Sequence, residues 1–201
     1  MKTNIYLASA AALTLALGAC GSNTAQENTA GSAMENLTSA PEDDMANMAN
    51  MAMAATPTTA AEFANMAAAS DAYEIQSSQM AATKAGAAGV KTFAAMLVKD
   101  HQKSTADLKA AAGKASPAVM PAPTMNAEQQ TNLDALKAAA NGADFDRLYL
   151  AQQVPAHEKA LAMLQGYATG GDTPAIKDFA SKTAPAVQKH LEEARKMAMA
   201  K

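Results

Sequence analysis

The chain has 201 residues, enough for one domain of about 150 residues with additions. Its net charge of −3 argues against nucleic acid as a partner, and a single cysteine rules out an internal disulfide. Hydrophobic residues make up 49% and aromatics only 4%, so much of the apolar content is alanine, the best helix former and a poor strand former.

Residues 1–19 predict a lipoprotein signal peptide. Lys2 gives a positive start, and Ile5 to Leu17 is an uncharged run. That run is too short to span a bilayer, which takes about 20 residues. Leu17-Gly18-Ala19-Cys20 is similar to a lipobox, in which Cys20 is lipidated and becomes the mature N-terminus. The other reading is an ordinary signal peptide cleaved after Ala19, leaving a thiol on an exposed tail. Gly21 after the cysteine points to outer-membrane sorting, with the protein facing the periplasm of a Gram-negative bacterium. Membrane attachment through two or more acyl chains would be stable.

Residues 20–57 predict a disordered, solvated tether. They carry Glu27, Glu35, Glu42, Asp43 and Asp44 with no Lys or Arg, and nothing large to bury. Within the tether, Met45, Met48, Met51 and Met53 form a close run of thioethers, which suit Cu(I). Low-complexity Ala/Asn/Met drift accounts for the same run, and no histidine accompanies it.

Residues 58–201 predict an all-α domain in which 15 basic residues face 14 acidic ones. Thr59-x-x-Glu62 is a capping box opening the first main helix, which Gly86 and Gly89 end. The second carries Val90, Phe93, Leu97, His101 and Leu108 on one face, and Gly113 with Ser116 to Pro123 forces a loop. A short extra helix from about Ala127 to Ala140 precedes the Asn141-Gly142 turn. The third main helix runs from Asp144 through Tyr167. Asp172-Thr173-Pro174 then starts the fourth, which continues to about Met199. The expected fold is an up-down-up-down four-helix bundle with that short helix between main helices two and three. This order puts Phe63 and Phe145 at one end and Phe93 and Phe179 at the other.

His101, His157 and His190 are the only histidines, one in each of three main helices, and Glu74 holds the matching place in the first. Helical phase points all four inward: Glu74 follows Phe63 by eleven residues, His101 precedes Leu108 by seven, His157 lies seven from Leu150 and Leu164, and His190 follows Val187 by three. Mid-helix positions also place them at one height. The pattern predicts a single site of three imidazoles and one carboxylate for a transition-metal ion, Zn, Fe, Mn or Cu. Asp100, Asp146 and Tyr149 are candidates for outer partners that orient the imidazoles or for further ligands. The same four residues also fit hydrogen-bonded polar groups in an alanine-rich core, held by Ser70, Ser77, Thr183, Gln152, Gln153 or the tyrosine hydroxyls, or a wet edge of the bundle. Pro155 and Pro185 fall inside helices, where each deletes a backbone hydrogen bond and either widens the waist or kinks the outer face.

With those residues laid out, the domain resembles the bacterial family called domain of unknown function 4142. The matching stretches are Val90 to Ala94, Met96 to His101, Ala143 to Tyr149, His157 to Ala160, Ile176 to Ala180 and His190-Leu191, within residues 60–197. The resemblance implies a ferritin-like four-helix bundle in secreted or lipidated envelope proteins and no settled activity. No nucleophile elbow, Gly-rich phosphate loop or Cys-His pair is present, which argues against a hydrolase. A redox enzyme would need iron, manganese or copper with an open position. The expected function is an envelope lipoprotein that binds a metal or small ligand in stress or metal handling. The rival is a non-catalytic module that presents the bundle to another envelope protein.

Overall fold

Thr59 starts the first helix as its phase requires. The Thr59 hydroxyl oxygen accepts the Glu62 backbone N–H at 3.3 Å and its O–H donates to the Glu62 carboxylate at 2.9 Å. In the computed structural model, which describes residues 57–200, five helices follow: α1 Ala60–Lys84, α2 Ala88–Ala112, α3 Ala127–Ala138, α4 Ala143–Gly170 and α5 Pro174–Met199. No strand occurs among the described residues, apart from a single bridge between Ala85 and Gly142. The leader, Cys20 and the Met45, Met48, Met51 and Met53 run lie outside the described residues.

The expected up-down-up-down order does not hold. Tyr73 meets Gln152 at 3.0 Å, Ser78 meets Tyr149 at 2.7 Å and Gly86 meets Asp146 at 3.0 Å, so α1 and α4 run antiparallel. Asp71–His101 and Asp100–His190 bonds join α1 to α2 and α2 to α5. Directions are therefore up, down, down, up for α1, α2, α4 and α5. The physical reason is the connection at residues 113–142: it includes the 12-residue α3 and is long enough to travel the length of the bundle before α4 begins. One such crossover is the connectivity of ferritin-like bundles.

This order also re-sorts the phenylalanines. Phe63 packs against Tyr167 and Phe179, with ring centroids 4.2 and 6.2 Å away, and Ile176 and Leu108 close that end. Phe93 and Phe145 share the opposite end with Leu97, Leu136 and Tyr149. Between the two apolar clusters lies a polar layer, and there the site is found. Pro155 and Pro185 are both exposed and their helices continue through them, so the missing donors sit on the outer face.

Asp146 does not join the polar layer. Its carboxylate accepts the backbone N–H groups of Gly86 and Ala87 at 3.0 and 2.9 Å and so caps α2, whose own N-cap Ala87 has no side-chain oxygen to offer. The turn it holds is tight. A Cβ on Gly86 would stand 2.8 Å from the Gly142 Cα, and Gly142 itself has φ +93°, a conformation that suits glycine. Asp146→Ala removes the acceptor that caps α2, a cost of about 0.5–2 kcal/mol. We expect a melting temperature lower by roughly 1–8 °C in thermal denaturation. Asp144→Ala in the same helical turn removes an exposed ion pair with Arg147 and a first-turn negative charge, together worth under about 1 kcal/mol, and should melt close to the wild type.

Candidate metal centre

The four inward-facing positions are buried: Glu74 is 2% exposed, His101 5%, His157 1% and His190 4%. Because α2 and α5 bring their midpoints against those of α1 and α4, the three imidazoles meet in one layer. Their ring centroids are 5.5, 5.6 and 5.9 Å apart, nearly an equilateral triangle. One nitrogen from each histidine lies within 4.8 Å of the other two.

Each ring is held from outside by its other nitrogen. His157 Nδ1 donates to the Gln153 carbonyl at 2.9 Å, which can only accept and so fixes the proton on Nδ1. His101 Nδ1 meets the Asp71 carboxylate at 2.8 Å, and Asp71 also accepts the Thr105 hydroxyl at 3.1 Å. His190 Nε2 meets the Asp100 carboxylate at 3.0 Å. The remaining nitrogens, His101 Nε2, His157 Nε2 and His190 Nδ1, are buried and have no hydrogen-bond partner. Three orphaned lone-pair nitrogens in one core are costly unless something binds them. Imidazoles that ligate a metal show this pattern, with the outer N–H given to a carboxylate or backbone carbonyl and the inner lone pair left for the ion.

Electrostatics favour neutral, ligand-ready rings at His157 and His190 and the charged form at His101, whose proton a bound cation would displace. Burial pushes His157 and His190 down to about 4, helped by the charge of His101 and opposed by the Gln153 carbonyl and by Asp100 respectively. Burial also lowers His101, but its bond to Asp71 and the charges of Glu74, Asp71 and Asp100 outweigh that, and it lies above the ordinary value. Glu74 is pushed up to about 7 by burial, against the pull of His101, Gln153 and His190. Burial and the neighbouring Glu74 hold the Tyr73 and Tyr149 phenols above their usual range.

Of the residues singled out in the sequence, the structure brings His101, His157, His190 and Asp100 together as one group with its outer partner. Glu74 lies beside them rather than among them: its Oε1 is 4.0 Å from His157 Nδ1, and its Oε2 is buried without a partner. Tyr149 bonds Ser78 and stacks on Phe145, one layer away from the imidazoles. The sequence reading missed Asp71. A usable signal existed, since Asp71 is three residues before Glu74 and eight after Phe63, on the same inward stripe.

Fold and site together define an all-α bundle with a buried three-histidine cluster able to hold one ion. The chain belongs to the family described as domain of unknown function (DUF4142), whose model matches residues 23–197. No curated protein matches it in sequence. Its structure is similar to CopM in the Cu(II)-bound form, with TM-score 0.60 and 20% identity over 70% of this chain and 96% of that one. It is also similar to CopM in the Cu(I)-bound form, with TM-score 0.57, and in a silver-bound form, with TM-score 0.56; both are 20% identical over 70% of this chain and 95% of those chains. At that identity the likeness is one of fold.

Proposed function

We propose that this protein is an outer-membrane lipoprotein that binds one copper ion at His101, His157 and His190 and serves metal handling in the envelope, not catalysis of hydrolysis. The observation that carries the reading is three buried imidazoles that each bring a nitrogen within 4.8 Å of the other two, each with one nitrogen engaged and one buried without a partner. With metal–nitrogen bonds of about 2.0–2.1 Å, two ligands of one ion sit about 3–4 Å apart, so small side-chain rotations close the cluster onto a metal. Imidazole suits Zn, Fe and Cu alike, but Cu(II) has the highest affinity for a given nitrogen set among the divalent first-row ions. Support also comes from the similar fold of CopM, whose structures hold Cu(I), Cu(II) and silver. Glu74 balances the charge of a bound cation from the layer beneath. Cys20 anchors the chain by lipid, and Met45, Met48, Met51 and Met53 offer soft sulfur for Cu(I) between anchor and domain.

The test is elemental analysis of an untagged chain from Gly21 onward after copper loading and desalting, beside a chain lacking residues 21–57. Loaded with Cu(II), which thioethers hold poorly, both should keep one copper, and His101→Ala/His157→Ala in either should keep almost none. A wild-type chain that retains no copper, or a double variant that retains as much, rejects the site.

A further inference from the structure

A cavity of about 40 Å³ lies inside the bundle against the imidazole layer. All four long helices wall it: Ala67, Ser70 and Asp71 from α1, His101 and Ser104 from α2, Ala160, Met163 and Leu164 from α4, and Thr183, Val187 and His190 from α5. Helix directions place it on one side only. Every residue that walls it, on each helix, is at the level of the histidines or displaced towards the Phe63–Tyr167–Phe179 end. Glu74, Ser77 and Gln153 lie on the opposite side, one turn towards the Phe93–Phe145 end. The imidazole triangle is thus a floor with a carboxylate beneath it and, above it, a mainly apolar space into which three hydroxyls open.

We propose that the ion at this floor keeps one coordination position open towards the cavity and takes there a small exogenous ligand, a water or an oxygen- or nitrogen-donor anion of two or three heavy atoms. The inference rests on the copper reading above and goes beyond it, because a storage site needs no such opening. Volume sets the size of the ligand. About 10–15 Å³ holds one water, so 40 Å³ admits a linear triatomic and excludes an amino acid or a sugar. Chemistry sets its class: the Ser70, Ser104 and Thr183 hydroxyls can donate to a ligand, three imidazoles leave a bound divalent ion with net positive charge, and the Asp71 and Asp100 carboxylates at the same wall are engaged by the outer nitrogens of His101 and His190. Access is present as well, since Ala186 at the cavity's edge is exposed and Ser70, Ser104 and Thr183 are only half-buried. Met163 is the internal rival, a buried thioether on the same wall that would close the position if it ligated the ion.

The probe is azide, added to the Cu(II)-loaded full chain with copper content measured in parallel. We expect a saturable azide-to-copper charge-transfer band in the near ultraviolet and a matching change in the electron paramagnetic resonance spectrum. Thr183→Val, equal in shape, should weaken azide binding about fivefold or more with copper content unchanged, and Ala67→Leu, which fills the cavity, should abolish the band. If Ala67→Leu fails to fold, Ser104→Ala combined with Thr183→Val carries the comparison. A copper-loaded chain that ignores azide overturns the inference and leaves the site standing, as does a band indifferent to the hydroxyl variants. A spectrum that changes in Met163→Leu before any azide is added identifies the thioether as the ligand and also overturns it. Failure to retain copper at all would instead remove the site itself.

Discussion

Copper should raise the melting temperature of the wild-type domain by about 8–16 °C and leave the His101→Ala/His157→Ala variant where it was. A ligand that binds only the folded state stabilises it by about 4 kcal/mol at a thousandfold excess over its dissociation constant. A domain of this size gains about 2–4 °C per kcal/mol. The unfolded chain offers three isolated histidines with no common centre, so affinity for that state is small. The variant will itself melt lower than the wild type, because it leaves the Asp71 carboxylate buried without its partner and opens space in the core. The quantity to read is therefore the shift produced by copper within each protein. Asp71→Ala gives an intermediate case. It keeps all three ligating nitrogens and removes only the acceptor that orients His101, so affinity should fall about 10–100-fold. Equal shifts in the wild type and the double variant would move the copper to some other group.

Periodicity made the helices and their inward faces legible, because burial on one side of a helix repeats every 3.6 residues whatever the helix packs against. His101, His157 and His190 were readable for that reason, and their shared height followed from similar helix lengths. The direction of α4 was not readable. It depends on the path of residues 113–142, whose proline-rich start and short helix are compatible with a tight return or with a full crossover. Asp146 shows the limit of phase alone. It lies on the face of His157, but eleven residues are about 16 Å along a helix, and it ended at the α2 cap instead of the imidazoles. Asp71 shows the converse limit. Its face was legible, whereas its pairing with His101 depends on the register between α1 and α2, which the short turn at residues 85–87 sets.

Glu74→Gln should make the metal-free protein more stable at pH 8 and hardly alter it at pH 4.5. Glu74 rises from an ordinary 4.5 to about 7 in the folded state, chiefly through burial. A carboxyl raised in this way contributes stability that is present below 4.5 and lost as the pH climbs through about 7, because the folded state holds a proton that the unfolded chain has released. His157 and His190 act in the opposite sense. Lowered to about 4, they cost stability as the pH falls from 6.5, where the unfolded chain gains protons that the folded state refuses. His101, raised by Asp71 and the neighbouring acids, sides with Glu74 only above 6.5, where the unfolded chain releases a proton that the folded state keeps. Between pH 4.5 and 6.5 the two histidine limbs outweigh the single Glu74 limb, so the wild type should gain stability with rising pH, by about 1.4 kcal/mol per pH unit, in urea titrations made with a chelator present. Removing the Glu74 limb leaves the histidine limb, so the variant should gain stability steadily over that range. Its lead over the wild type should reach on the order of 2–3 kcal/mol above pH 7. A lead that is independent of pH would mean that Glu74 does not titrate in the folded core. The same substitution should narrow the thermal shift that copper produces, since an ion above the carboxylate offsets the cost of ionising it, and glutamine offers the ion no such charge. Glu74 then destabilises the empty bundle in the service of the loaded one.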